Sequence, residues 1–203
     1  FAALARAPLS EALAAWQGLG YNRRALSLKK LSEIVVHEYK SELPHEPEKL
    51  AKLPGIGAAT AGSIAAFAFN HPSVFIETNI RRVFIHFFFH DMKKVNDDAI
   101  MRLAAQAVDI KNPREWYFAL MDYGTMLAAT ENKNPNRKSA HYKKQSKFHG
   151  SDRQVRGKIV ALLVKHKSLV PRATAKETQE PLERIEKIFK QLQKEGFVRC
   201  KRK

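Results

Sequence analysis

The sequence predicts an all-α fold for the first 148 of its 203 residues. Apolar side chains recur at the spacing of helices rather than strands, as Leu28, Leu31 and Val35 do within residues 23–39. Prolines and glycines separate these periodic segments, and strand patterns are almost absent before residue 165. We therefore expect one helical domain over residues 1–148, in which residues 131–148 form a polar, basic linker.

Start and stop signals place the helices in order. Pro8 and Pro47 suit the first turns of two short helices, and Gly18 ends the first of them. Asp97 stands where an N-cap is expected. Residues 58–69 are apolar almost all round, which predicts a buried central helix. The predicted helices cover residues 9–16, 23–39, 47–53, 58–69, 79–90 and 97–108, and another opens at Pro113.

Residues 149–203 are predicted to form a second, winged-helix-like module. Residues 153–166 and 181–195 have the pattern of amphipathic helices, and a loop around Pro171 is expected between them. Gly196 ends the second helix, and residues 197–200 are predicted to begin a strand. Helix, short segment, helix and strand is the order of a winged helix, a relative of the helix-turn-helix.

The charge of the chain favours a nucleic-acid partner. Its formal net charge is +16 at pH 7, and a chain this basic attracts phosphate. We find no apolar run that could span a membrane and no signal peptide, so we expect a cytoplasmic or nucleoid-associated protein. The single cysteine, Cys200, excludes an internal disulfide and a cysteine metal cluster. Because the chain does not start with Met, we interpret it as a fragment or processed product.

The segment LPGIGAATAGSI, residues 53–64, has the pattern of two helices joined by a glycine hairpin. Pro54 ends the first helix, and Gly55 and Gly57 allow positive φ. The helix that starts at Ala58 presents free backbone N–H groups, which attract anions. A tight helix connection without a ligand is the alternative. We predict that the hairpin binds a DNA phosphate through Leu53, Gly55, Ile56, Gly57, Ala58, Ala59 and Thr60.

A carboxylate stands at the start of the next predicted helix. It is Glu77, in the segment IETNIRRV of residues 76–83. A carboxylate that follows a phosphate-binding hairpin indicates chemistry on DNA as well as binding. The alternative is a solvated N-cap residue, since a negative charge is favourable at a helix N-terminus.

These segments together resemble the helix-hairpin-helix–GPD superfamily of DNA glycosylases. LPGIG is followed by Pro72 and then by an acidic residue before a helix, which is the order found in that superfamily. WQGLGYNRRAL at 16–26, TAGSI at 60–64 and ALMDYGTM at 119–126 are most similar to the A/G-specific adenine glycosylases. The resemblance covers residues 1–127 and implies a helix-hairpin-helix glycosylase domain that is incomplete at its N-terminus.

The resemblance also implies roles for individual residues. Glu77 stands at the family's catalytic aspartate, which stabilises the oxocarbenium-like sugar and the incoming water, and it is longer by one methylene. Asn79 matches the asparagine that hydrogen-bonds this carboxylate. Tyr21 matches an aromatic wedge in the base stack, and Arg23 and Arg24 would contact DNA beside it. The alternatives are a core tyrosine and an asparagine that bonds local backbone.

The chain departs from the family pattern at several positions. Ala59 stands where bifunctional relatives carry a nucleophilic lysine, so we expect no lyase step. Ala128 stands at the first of four cysteines that hold a 4Fe–4S cluster in the family, so we expect no cluster and no cofactor. His86 and His90 have the spacing of metal ligands, but no third ligand is evident, so we expect no metal. The family's 8-oxoguanine-recognising domain and its acid glutamate are also missing.

The sequence therefore predicts a monofunctional DNA glycosylase of base excision repair. The leading substrate is adenine opposite guanine or 8-oxoguanine, and it rests on the resemblance alone. The alternatives are a thymine or uracil mismatch glycosylase, and a catalytically weak protein that binds DNA structures. The expected partner is double-stranded DNA with a mismatched or damaged base, bound by a monomer with no membrane partner.

Overall fold

The computed structural model describes residues 1–130 and 134–199. Within these residues the regular structure is helical, and the one strand-type pairing is an isolated bridge between Val95 and Ser139. The predicted all-α fold is confirmed. None of the described helices has the length and apolar character needed to cross a membrane. The helices are α1 (Ala2–Arg6), α2 (Leu9–Ala15), α3 (Arg23–Glu38), α4 (Pro47–Leu50), α5 (Ala58–Phe69), α6 (Thr78–Phe88), α7 (Asp97–Ala107), α8 (Pro113–Thr130), a 3₁₀ helix (Pro135–Lys138), α9 (Asp152–His166), α10 (Pro171–Thr178) and α11 (Leu182–Lys194).

The chain divides into two compact units. The central unit is Leu43–Lys144, and the terminal unit joins Phe1–Glu42 to the segment that begins at Gln145. This division differs from the predicted boundary at residue 148, because α9 packs against α2 rather than standing apart from the first helices. The terminal unit is therefore built from both ends of the described chain.

The core of the central unit surrounds α6. Helices α6 and α8 form its most extensive contact, and α5 packs on α8. The predicted all-round burial of α5 is wrong, because only one face, with Ala61, Ala65 and Ala66, is buried. Alanine is apolar enough to suggest burial on every side but small enough to remain exposed. The buried core residues are Ala66, Phe75, Ile76, Ile80, Phe84, Ile85, Val95, Ile100, Ala104 and Tyr117.

Tyr117 on α8 fixes the segment that leads into α6. Its hydroxyl donates to the carbonyl of Ser73 at 2.7 Å and accepts from the N–H of Phe75 at 3.4 Å, and its ring stacks on Phe75 with 4.2 Å between centroids. Burial raises the pKa of Tyr117 to about 12. Phe75 also packs closely against Gly62 on α5, where an added Cβ would stand 2.8 Å from the Cβ of Phe75. These contacts set the start of α6.

The terminal unit has its own core. Leu13 and Ala25 pack with buried residues of α9 and α11, among them Ile159, Ile188 and Leu192. Trp16 and Phe197 pack against the same cluster. The burial of these side chains holds α2 and α3 against α9 and α11 through the hydrophobic effect.

Two predicted features of the C-terminal module differ from the structure. Pro171 opens a helix, α10, rather than a loop, because proline at the first helical position has no N–H to leave unpaired. Residues 197–199 are irregular rather than extended in a strand, and Cys200 lies outside the described residues. The described part of the module is three helices in sequence.

The predicted linker is partly folded onto the central unit. Residues 131–133 lie outside the described part, but Pro135–Lys138 form a 3₁₀ helix that packs on α6. The sequence predicts an exposed linker here because the segment has few aliphatic side chains. The prediction is wrong for Pro135, Asn136 and Ser139, which are buried.

Candidate active site

The glycine hairpin between α4 and α5 forms as predicted. The chain leaves α4 at Leu50, and Ile56 N–H donates to the carbonyl of Leu53 at 3.1 Å across the turn. Gly55 has a φ of 80°, the left-handed conformation that glycine adopts without strain. Gly57, expected to share this freedom, has an extended φ of −91° and serves as the N-cap of α5.

The start of α5 is open to solvent. Gly57 supplies no side-chain cap, and Ala58, Ala59 and Thr60 are exposed. Their backbone N–H groups are the unpaired donors of a helix N-terminus, which suit an anion. Leu53 is different, since it is 4% exposed and anchors the turn in the core. The predicted contact at Leu53 is therefore limited to its backbone.

Glu77 is the N-cap of α6. Its Oε1 accepts from the backbone N–H of Asn79 and from that of Ile80, the latter at 2.8 Å. The side chain is half-buried, and none of the described residues donates a hydrogen bond to Oε2. Glu77 thus occupies the N-cap position that the sequence offered as one interpretation. It leaves one carboxylate oxygen available to a ligand.

Asn79 contacts Glu77 through its backbone rather than its side chain. Its Oδ1 accepts from Nη1 of Arg82 at 2.7 Å, and the same Nη1 donates to the carbonyl of Gly124 on α8. Arg82 is 7% exposed, so its charge lies inside the unit beneath the start of α6. Sequence reasoning missed this arginine. The glycine of the MDYG segment is the one sequence signal of a close helix contact here.

A second ion pair joins α6 to α7. Arg81 donates from Nε and Nη2 to the two carboxylate oxygens of Asp97 at 2.8 and 2.7 Å. This hydrogen bond raises the pKa of Arg81 and lowers the pKa of the Asp97 carboxyl. The predicted N-cap role of Asp97 is wrong, since Asn96 occupies the N-cap and Asp97 lies in the first turn of α7.

A cleft of about 220 Å³ lies at the open start of α5. It is smaller than the roughly 300–1,000 Å³ of sites for drug-sized ligands. The small side chain of Ala59 leaves its side of the cleft open. Ile76, which also lines the cleft, directly precedes Glu77 in the sequence. The cleft is lined by Ala58, Ala59, Val74, Phe75, Ile76, Asp97 and Met101.

In the terminal unit, Tyr21 is presented on a surface loop. The interpretation of Tyr21 as a core residue is wrong, because its side chain is 66% exposed. Gly18 and Gly20 have φ values of 86° and 65°, and Trp16 Nε1 donates to the carbonyl of Gly20 at 2.9 Å. Arg24 lies 5.5 Å from the centre of the Tyr21 ring. The turn therefore displays an aromatic ring beside a cation.

Arg23 is held by an acidic residue that sequence reasoning did not identify. Its guanidinium donates to Glu195, which also pairs with Arg156. The hydrogen bond from Arg23, followed by that from Arg156, lowers the pKa of Glu195 to about 2. Arg23 is thus part of an ion-pair cluster, whereas the predicted role is DNA contact. Tyr21, Arg23 and Arg24 belong to the terminal unit, and the hairpin and Glu77 belong to the central unit.

The residues after α8 do not fit a cysteine-ligated cluster. Ala128 is exposed on α8, and the only cysteine, Cys200, lies outside the described part. Among residues 1–130 and 134–199 there is no group of three or more His, Cys, Asp or Glu that could hold a metal ion. His90 pairs with Asp91 at 3.0 Å, and the edge of His86 meets Phe87.

Known proteins are similar to this chain in sequence and fold. No family model matches the chain. The adenine DNA glycosylase of Mycolicibacterium smegmatis is 31% identical over 187 residues, which cover 84% of this chain and 64% of the relative. The adenine DNA glycosylase of Buchnera aphidicola subsp. Baizongia pistaciae is 31% identical over 137 residues, which cover 66% of this chain and 38% of the relative.

A solved structure of a thermostable thymine-DNA glycosylase has a TM-score of 0.58 and 25% identity, and the match covers 64% of this chain and 62% of that one. The hairpin, the capped carboxylate and these matches all indicate the fold of a DNA glycosylase. In sequence and fold the chain resembles the helix-hairpin-helix DNA glycosylase superfamily. Among its curated relatives are adenine DNA glycosylases, and it spans between about two fifths and two thirds of the length of the two described above.

Proposed function

We propose that this protein is a monofunctional DNA glycosylase of base excision repair, which hydrolyses the N-glycosidic bond of a mismatched base in double-stranded DNA. The observation that carries the proposal is Glu77 at the start of α6, with Oε1 held by two backbone N–H groups and the adjacent Ile76 lining a cleft. A carboxylate fixed in this way can stabilise the positive charge that develops on a sugar as an N-glycosidic bond breaks.

The hairpin binds the DNA backbone in this proposal. The N–H groups at the start of α5 donate hydrogen bonds to a phosphate oxygen, aided by the positive end of the helix dipole. The exposed Tyr21 ring fills the stack that the flipped base leaves, which offsets part of the cost of unstacking. Arg24 lies beside it as a contact for the backbone.

Glu77 supplies the electrostatic stabilisation. As the bond from sugar to base breaks, positive charge develops on the sugar, and a carboxylate fixed nearby stabilises it and orients the incoming water. The capping bonds to Oε1 hold the group in place, and they leave Oε2 free of capping bonds. Ala59 has no amine with which to attack the sugar, so the enzyme has no lysine-dependent lyase step.

Adenine opposite guanine or 8-oxoguanine is the proposed substrate, and the names of the curated relatives support it. A thymine mismatch is the second candidate, favoured by the name of the solved structure that shares this fold. A DNA-binding protein without cleavage is the third, favoured by the glutamate that stands at the family's aspartate. We propose an intracellular monomer that needs neither metal nor cluster.

Single-turnover base release tests the proposal. The protein is mixed in excess with duplexes that contain A·8-oxoguanine, A·G, T·G or U·G pairs, beside the variant Glu77→Gln. We expect release of adenine that falls at least about a hundredfold in the variant, as when one stabilising group is removed from a transition state. Tight binding without release from any duplex would overturn the catalytic proposal. Release restricted to T·G or U·G would overturn the adenine assignment.

A further inference from the structure

The segment that follows α8 is folded against the start of α6. Asn136, 5% exposed, donates from Nδ2 to the carbonyl of Thr78 at 2.9 Å. Thr78 is the first residue of α6 and directly follows Glu77. A buried amide side chain thus holds the backbone next to the candidate catalytic carboxylate, across 58 residues of sequence.

The segment is anchored at its other end as well. Val95 N–H donates to the carbonyl of Lys138, and the N–H of Ala140 donates to the carbonyl of Val95, each at 2.8 Å. Val95 is 1% exposed and belongs to the core of the central unit. Lys138 also donates from Nζ to the carbonyl of His90. Residues 134–140 are therefore tied to the core at Lys138 and Ala140 as well as at Asn136.

The backbone of Asn136 is itself held in place. Asn134 accepts from the backbone N–H of Asn136 at 3.0 Å and so caps the 3₁₀ helix Pro135–Lys138. Pro135 is buried beside it and restricts the backbone of the turn. A short, rigid turn with a buried hydrogen-bond donor can hold the Thr78 backbone in a fixed position.

We propose that residues 134–140 are a strap that fixes the start of α6, and that Asn136 is a positioning residue for Glu77. The strap lies where the family resemblance implies cluster cysteines, so in this chain a polypeptide segment does the anchoring there. Asn136 acts through the Thr78 carbonyl, which sets the backbone from which Glu77 reaches the N–H groups of Asn79 and Ile80. The expected effect of Asn136 on base release rests on the proposed function. Its effect on the hydrogen bonds between Glu77 and the N–H groups of Asn79 and Ile80 does not.

Amide hydrogen exchange of the protein without DNA tests the strap. The variant Asn136→Asp keeps the shape of the side chain and removes the Nδ2 donor. We expect exchange at the amides of Asn79 and Ile80 to become about tenfold faster, the scale for loss of one buried hydrogen bond. The amides of Phe84 and Ile85, further along α6, should be unchanged. Asn112→Asp is the matched control, since Asn112 is exposed in the same unit.

Unchanged exchange at Asn79 and Ile80, or a uniform increase along all of α6, would overturn the proposal. Asn134→Ala is a milder second variant in case Asn136→Asp does not fold. Asn134 is exposed, and its loss removes only the hydrogen bond that caps the turn. We expect the same local pattern from it, with a smaller increase in exchange. An increase confined to residues outside the start of α6 in this variant would count against the strap.

Base release provides the second readout. Asn136→Asp should slow single-turnover release about tenfold with unchanged duplex affinity, and it should add nothing in a Glu77→Gln background. An equal loss in both backgrounds would contradict positioning through Glu77. If the unaltered protein releases no base, the proposed function fails, while hydrogen exchange still decides the strap.

Discussion

Gly124 on α8 and Asn79 on α6 touch through their backbones. A Cβ atom at Gly124 would stand 2.6 Å from both the Cβ and the carbonyl oxygen of Asn79, closer than real contacts allow. The carbonyl of Gly124 in turn accepts from the buried Arg82, which also binds Asn79. The glycine thus allows the close helix contact on which the start of α6 depends.

Replacement of Gly124 by alanine should therefore be destabilising. We expect Gly124→Ala to lower the free energy of unfolding by about 1–3 kcal/mol, the range for an extra carbon in a filled site. Because the clash is with backbone rather than a flexible side chain, base release should fall as well. Chemical denaturation measures the first effect, and single-turnover kinetics measure the second.

Gly157 provides the control for this substitution. It lies within α9, where an added Cβ would meet nothing within 4 Å. Gly157→Ala should raise the free energy of unfolding by about 0.5–1 kcal/mol, since alanine is the better helix former. If Gly124→Ala behaved like Gly157→Ala, the close contact with Asn79 would not exist in solution.

Tyr21 should matter for base release and little for stability. It is largely exposed, so Tyr21→Ala should leave the melting temperature within a few degrees of its original value. Loss of an aromatic ring that stacks on bases costs about 1–3 kcal/mol, so release should slow by about five- to 150-fold. Tyr21→Phe keeps the ring and loses only the 2.9 Å bond from Gln145. Equal losses in the two variants would show that the ring does not enter the stack.

The ion-pair cluster of Arg23, Arg156 and Glu195 should make the stability of the protein fall at low pH. The pKa of Glu195 is about 2 in the folded chain and 4.5 without its partners. A depressed carboxyl pKa contributes stability that is fully present above about pH 4.5 and is lost as the pH falls toward 2.

Glu195→Gln tests that dependence by thermal unfolding at several pH values. At pH 7 the variant should be less stable by about 1.5–3 kcal/mol, the scale for loss of hydrogen bonds to a charged group. The difference between the two proteins should shrink as the pH falls below 4.5. A difference that stayed constant down to pH 2 would mean that the carboxylate is not paired.

Affinity for duplex DNA should fall steeply with salt. With a net charge of +16, phosphate contacts release counterions, so affinity should drop by at least about tenfold between 50 and 200 mM salt. Fluorescence anisotropy with a labelled duplex measures this slope. An affinity that did not change with salt would contradict binding through phosphates.

The parts of the structure that local signals determine were predictable. Helix α3 follows from apolar spacing, α5 from an almost wholly apolar sequence after a glycine, and the turn at Gly55 from a glycine after proline. The capping position of Glu77 was also weighed, because a carboxylate before a helix has a local physical reason.

The parts that depend on distant residues were not predictable. Asn136 lies in a polar, basic stretch, and nothing local indicates that its amide meets Thr78. The pairing of Arg23 with Glu195 joins residues 172 positions apart. Pro171 illustrates a different failure, since proline both breaks helices and begins them, and α10 has too few apolar residues to decide between the two.

The discontinuous terminal unit has a consequence for the order of folding during synthesis. Leu13 and Leu192 share one core, although they lie near opposite ends of the described chain. A ribosome releases the N-terminal end first, so α2 and α3 emerge long before α9 and α11 can cover them. The central unit, whose residues are contiguous, can close first. The core next to the loop that displays Tyr21 is therefore completed only after α11 has been translated.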